Sequence, residues 1–179
     1  MEYRGPSVYD QEDFFSDYMK RRSRKDSPNN AIETPIMYEL IQDFQNKDVL
    51  DLGCGDASFG KDLVERGAAS YSGIEGSEQM VEAAKRNLSQ VNGSVYHHTL
   101  ESYTYGEEKF DIVTSRFAIH YVADIDALFQ NIHLSLKEEG KFVFSVQHPL
   151  TTASFTSKKT GDRRENWIVD DYFLEGERK

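Results

Sequence analysis

Val49-Leu50-Asp51-Leu52-Gly53-Cys54-Gly55-Asp56-Ala57-Ser58-Phe59-Gly60 sets a short apolar run against two glycines one residue apart. Val49 to Leu52 reads as a buried strand, and Phe59 to Arg66 as a helix. Between them lies a tight turn. Glycine suits that turn because it tolerates positive φ and leaves bare backbone for a ligand to lie against. The amides that open the helix are expected to point at whatever sits there. Strand, glycine turn and helix together describe a nucleotide-type cofactor loop.

Spacing narrows the guest. A dinucleotide fingerprint needs a third glycine three residues after the second, and that position is Ser58. A phosphate-cradling loop would end in Gly-Lys-Ser/Thr, whereas this chain reads Gly60-Lys61-Asp62. Neither a pyrophosphate nor a triphosphate is favoured. The run Asp51-Leu52-Gly53-Cys54-Gly55 resembles the first motif of class I S-adenosylmethionine (SAM) methyltransferases, in which the glycine turn faces the amino-acid part of SAM.

The next segment agrees. Tyr71 to Glu75 reads as a second strand ending in an acid about 20 residues past the turn, where an α/β nucleotide fold places the carboxylate that takes ribose hydroxyls. Ser77 to Asn87 reads as a helix capped by Ser77, with Met80, Val81 and Ala84 on its apolar stripe. By packing alone Met80 is a core residue; the resemblance puts it near the adenine. A third strand is expected at Ser94–His97. Thr99 then stands where the family usually carries an acid, a departure that leaves the backbone around Leu100 and Glu101 to read the adenine edge. His97 and His98 lack companions at metal-ligand spacing, so no metal is expected.

Lys109 to Ser115 reads as the fourth strand. Ligands in open α/β sheets bind outside the carboxyl ends of the strands, and the resemblance places Ser115 and Arg116 beside SAM or its acceptor. The cofactor set implied by the resemblance is therefore Asp51, Gly53, Cys54, Gly55, Glu75, Gly76, Met80, Leu100, Glu101, Ser115 and Arg116. His120 has two readings, a general base or a residue that caps the turn against Tyr121. Asp124 is expected to cap an amphipathic helix to Leu136, with Ile125, Leu128, Phe129, Ile132 and Leu136 on one stripe. Glu139-Gly140 ends that helix and Lys141 to Val146 forms the fifth strand, closed by Gln147-His148-Pro149. A Ser-x-x-His-Pro ending occurs in a subset of the family and makes His148 a second catalytic candidate.

Before the glycine loop, Gln11 to Arg24 has a helical pattern, and the basic run Lys20 to Lys25 reads as a solvated face. Asn30 and Glu33 have capping-box spacing for a helix to about Phe44, with Ile36, Leu40 and Ile41 inward. The pattern Tyr18…Arg22…Asn30…Glu33…Pro35 resembles one bacterial subfamily, and the resemblance implies a lid from which Tyr18 and Arg22 reach the cofactor or acceptor. Three regions are expected: 1–46, an N-terminal helical lid; 47–149, the SAM-binding core; 150–179, a substrate-side insertion, truncated or disordered.

The implied fold is α/β, a Rossmann-like three-layer sandwich with a mainly parallel sheet of order 3-2-1-4-5 and helices on both faces. Family members continue through a further helix and two strands. The segment after Pro149 is too short and too poor in apolar runs to supply them. A five-stranded sheet with an open fifth edge, and a homodimer through that edge, are the resulting expectations.

Hydrophobic residues make up 38% of the 179 and charged residues 29%, the balance of a globular domain. A net charge of −10 disfavours a nucleic-acid partner. No stretch reaches membrane-span length, no signal peptide opens the chain, and the single Cys54 suits a reducing cytoplasm. The expected activity is methyl transfer from SAM to a small-molecule acceptor by direct in-line displacement, leaving S-adenosylhomocysteine. Orientation alone supplies roughly 7–11 kcal/mol in such reactions. The alternatives are a catalytically silent SAM-binding scaffold and an NAD(P)-dependent oxidoreductase.

Overall fold

The structure, a computed structural model, describes residues 5–148 and 172–173. The chain divides into two units, residues 1–145 and residues 146–179. In the first unit β1 (Asp48–Leu52), β2 (Ser70–Glu75), β3 (Gly93–His97), β4 (Phe110–Arg116) and β5 (Leu136–Ser145) form one sheet. Its order is β3-β2-β1-β4-β5 and every pairing is parallel. The helices are α1 (Glu12–Arg22), α2 (Thr34–Ile41), α3 (Ser58–Glu65), α4 (Glu78–Leu88) and α5 (Ile125–Ser135). Shorter turns occupy Gly5–Asp10, Asn29–Glu33 (a π-turn) and Ile119–Tyr121. In the second unit the His148 ring stacks on Tyr172, with centroids 6.2 Å apart.

The central strands β1 and β4 are buried on both faces, which is why they read as mostly apolar runs, whereas β3 and β5 at the edges are more exposed. Val49 faces Met37, Ile41, Phe59, Leu63 and Leu88 under α2, α3 and α4. Leu50 and Leu52 face the other way, onto Leu128 and Ile132 of α5. Side-chain alternation along one strand thus builds both cores of a three-layer sandwich.

Gly60 lies inside α3, where glycine ordinarily weakens a helix. A Cβ built there would stand 2.0 Å from the Tyr71 ring. Bare backbone at Gly60 lets α3 settle onto β2, the packing task the third glycine performs in dinucleotide folds. In an open helix, Gly→Ala would stabilise by about 1 kcal/mol. Gly60→Ala should instead destabilise by about 1–3 kcal/mol through overpacking, read as a lower urea midpoint with the slope unchanged.

Three local expectations are corrected. Asn30 and Glu33 do not form a capping box. The Asn30 amide donates to the carbonyls of Arg22 and Arg24, at 2.9 and 2.8 Å, closing the end of α1. Glu33 turns instead to the sheet. Along α2, Met37 and Ile41 are buried, whereas Ile36 and Leu40 are half exposed. The π-turn rotates the helix face, so the i, i+4 pair facing the core begins at Met37. Finally, α5 ends at Ser135, one residue before the expected Leu136, and β5 starts at Leu136 and not at Lys141, because Leu136 already pairs with Phe110. The register then slips between Phe110 and Ile112, and Glu139 takes a positive φ of 61°.

Candidate cofactor site

The turn after β1 is held from several sides. The Gly53 and Cys54 amides both donate to the Ile74 carbonyl, at 2.9 and 3.0 Å. Gly53 has φ of +74°, and a Cβ there would lie 2.3 Å from that of Ala118. Asp56 takes the Ser58 amide (3.2 Å) and hydroxyl (2.6 Å), so its carboxylate already sits on the N-terminus of α3. Gly55, at φ +59°, is different: among the described residues a Cβ built on it meets nothing within 4 Å. That is an open cradle over bare peptide.

The third amide of the turn, Gly55 N–H, donates to Glu75 Oε2 at 2.9 Å, and Ser77 N–H donates to Oε1 at 2.9 Å. Gly53, Cys54 and Gly55 therefore spend their amides inside the protein. A pyrophosphate needs such donors, so the loop suits a guest without phosphate. Glu75 is 7% exposed. Burial pushes its carboxyl above the ordinary glutamate value, against the pull of the Ser77, Gly55 and Gly76 amides. A carboxylate has about four acceptor positions, two of them taken here, which leaves capacity for a diol.

The remaining sequence-derived residues divide by placement. Asp51 lies in the sheet beneath the turn, 2% exposed, receiving hydrogen bonds from the Tyr71 (2.8 Å) and Thr114 (2.9 Å) hydroxyls. Burial raises its carboxyl, with Arg116 the foremost opposing influence. Cys54 is buried and its thiol is pushed well up by desolvation, the neutral state of an inert cysteine. Gly76 leaves room for Pro6, which a Cβ would meet at 2.6 Å. Met80 is buried in α4, whose cap Ser77 accepts from its amide at 3.2 Å. The Leu100 carbonyl takes the Tyr105 hydroxyl at 2.9 Å, and Glu101 is exposed. Thr99 closes a local turn with Ser102. The Ser115 hydroxyl donates to the Leu52 carbonyl at 2.9 Å, tying β4 to β1. Arg116 is buried against Glu33 and the Phe59 ring. His120 stands at the surface on Tyr121, ring centroids 4.2 Å apart, and desolvation by the surrounding protein lowers its imidazole. His148 belongs to the second unit.

The N-terminal segment comes to the same place. Asp10 takes the Ser77 hydroxyl at 2.6 Å and the Gln79 amide at 3.2 Å, bracing the start of α4. Tyr9 packs edge-on to Tyr18, centroids 4.9 Å apart. Desolvation pushes the Tyr9 phenol up, and Tyr18, Tyr121 and Glu75 act in the same direction. Burial would lower Arg22, yet Tyr18, Asp56, Glu33 and Asp51 together raise it. Sequence reasoning named Tyr18 and Arg22; it did not name Tyr9, Asp10 or the inward placement of Glu33. The first two lie in a six-residue turn with no periodicity to mark them. Glu33 carried the spacing of a cap and a place in the subfamily pattern, neither of which points it at Arg116 or Ser145.

A family model described as a methyltransferase domain matches residues 49–140. An uncharacterized Haemophilus influenzae protein is 39% identical over 165 residues, covering 89% of this chain and 63% of that one. A Coxiella burnetii ubiquinone biosynthesis O-methyltransferase is 30% identical over 117 residues, 63% of this chain and 50% of that enzyme. This chain thus spans about half to two thirds of the length of these relatives. A Mesorhizobium loti S-adenosylmethionine dependent methyltransferase superposes with a TM-score of 0.75 at 29% identity, over 84% of this chain and 69% of that one. A Listeria monocytogenes protein superposes at 0.71 with 33% identity, over 79% and 68%. An open glycine cradle, an acid closing β2 and a 3-2-1-4-5 parallel sheet meet these likenesses at one conclusion: the chain belongs to the class I S-adenosylmethionine-dependent methyltransferases, whose cofactor is SAM.

Proposed function

We propose that this protein binds SAM across the ends of β1 and β2 and transfers its methyl group to a small-molecule acceptor. The carrying observation is the pairing of an unfilled Gly55 with a buried Glu75 that keeps free acceptor positions. Glu75 would take the ribose hydroxyls. Met80 and the Leu100 backbone would flank the adenine. Arg22, from α1, would face the cofactor carboxylate, while Tyr9 and Tyr18 exclude water over the same end. When bound, the sulfonium supplies a methyl group already activated for in-line displacement, so no protein nucleophile is needed. The chain's contribution is orientation.

The Coxiella burnetii relative is an O-methyltransferase by name, which makes a hydroxyl the acceptor to test first. His120 suits the base for such an acceptor because its lowered imidazole is neutral near pH 7 and able to take a proton. Among the described residues no helix is long and apolar enough to cross a membrane, and the lone free Cys54 supports a cytoplasmic setting. β5 lies at one edge of the described sheet, which supports a homodimer formed there; a monomer by light scattering would remove that reading.

The test is calorimetry with SAM and NADH in parallel, followed by radiolabelled methyl transfer to a panel of phenols and catechols. SAM should bind and NADH should not. His120→Ala should leave SAM affinity unchanged and lower turnover by about 10²–10⁴-fold. Binding without transfer to any acceptor would favour a silent SAM-binding protein.

A further inference from the structure

Glu33 is a buried carboxylate that the cofactor site does not use, 7% exposed. It gathers donors from three elements. Asn29 Nδ2, in its own π-turn, reaches Oε2 at 3.0 Å. Arg116 Nη2, at the end of β4, reaches Oε2 at 3.3 Å, its side chain only 6% exposed. The hydroxyl of Ser145, at the end of β5, donates to Oε1. The same Ser145 receives the Phe117 amide, at its carbonyl (3.0 Å) and its hydroxyl (3.2 Å).

Phe117 is the residue that needs explaining. Its φ is +54°, a left-handed backbone that bulky side chains rarely adopt, yet the residue is 42% exposed. No burial holds it there. Such a conformation persists only where its surroundings over-determine it. Here the surroundings are Ser145 on one side and the fit of Ala118 against Gly53 on the other. The turn leads directly into Ile119–Tyr121, which carries His120. Arg116 supplies a second sign of tension: its Nε is buried without a hydrogen-bond partner among the described residues. The guanidinium is therefore held by Glu33 and the Phe59 face, 4.5 Å away, and not by a full set of bonds.

We propose that Glu33 is a positioning residue that braces the 117–121 turn. Through Ser145 and Arg116 it ties the π-turn of the N-terminal segment to the ends of β4 and β5. Movement of that segment is thereby transmitted to the turn that presents His120 beside the glycine loop. The catalytic use of this coupling rests on the methyltransferase reading, whereas the coupling itself is a property of the free chain.

Hydrogen exchange read by mass spectrometry tests it on the intact protein. The variants are Ser145→Ala, Glu33→Gln and the double replacement, each with and without S-adenosylhomocysteine. Each single variant should speed exchange of amides 117–122 at least tenfold and leave β3 and α4 unchanged. The double variant should be no faster than the faster single, since both break one chain of contacts. A purely structural loss would instead raise exchange across the whole sheet. Unchanged rates at 117–122 in Ser145→Ala, which removes one hydroxyl and is expected to fold, would overturn the proposal. So would multiplicative effects in the double variant. Failure of the wild-type protein to bind S-adenosylhomocysteine would refute the cofactor reading and leave the coupling result standing.

Discussion

Gly55→Val should fold yet give no heat on titration with SAM, a loss of at least ~1,000-fold in affinity, or about 4.2 kcal/mol. The two effects separate because of where the new side chain goes. A Cβ at Gly55 touches no atom of the described residues within 4 Å, so valine enters open space there. It does inherit a φ of +59°, a strain of about 1–3 kcal/mol for a β-branched residue. For a domain of this size that lowers the melting temperature by several degrees without unfolding the protein at 25 °C. The isopropyl group then stands in the space proposed for the cofactor. Gly53→Val is the contrasting control: its Cβ would collide with Ala118 at 2.3 Å, so binding and fold should fail together. Unaltered SAM affinity in Gly55→Val would mean that no ligand lies against this turn, and the proposed function would fall with it.

Glu75→Ala is expected to weaken SAM binding about 100-fold, near 2.8 kcal/mol. Hydrogen bonds to a charged group contribute roughly 1.5–3 kcal/mol each, and the truncation would remove those proposed to both sugar hydroxyls. It would also leave the Gly55 and Ser77 amides without their acceptor, at about 1–3 kcal/mol of stability. The pH profile gives a second check. Burial raises the Glu75 carboxyl, so its protonation begins at a higher pH than in an exposed glutamate. Wild-type affinity should therefore decline on acidification above the ordinary carboxylate range, and the decline attributable to this group should be absent in Glu75→Ala. Calorimetry across a pH series reads both. Identical profiles would show that the carboxylate does not take part in binding.

Much of this molecule was legible one segment at a time. The strand at Val49–Leu52, the turn, the acid at Glu75 and the caps Ser77 and Asp124 follow from local rules: apolar runs, glycine conformation, side-chain oxygens at helix starts. Alternating burial along β1, with Val49 to one core and Leu50 and Leu52 to the other, follows from the period of a strand. The boundaries that failed lie where a distant partner outbids the local signal. Glu33 had the spacing of a cap but met a buried Arg116 and Ser145, 83 and 112 residues away in the chain. Leu136 had the periodicity of a helix but paired with Phe110.

The same division holds at the site. Residue type and spacing named Gly53, Gly55 and Glu75, because a bare turn and a carboxylate at the next strand end are chemical requirements that show in one dimension. The spending of the turn's amides on Ile74 and Glu75, the Gly60–Tyr71 contact, and the arrival of Tyr9, Asp10 and Arg22 at the loop needed the folded chain. Hydrogen-bond donors and close contacts are allotted by proximity in space. Proximity between residues tens of positions apart is created by the packing of helices on the sheet, and no local pattern encodes it.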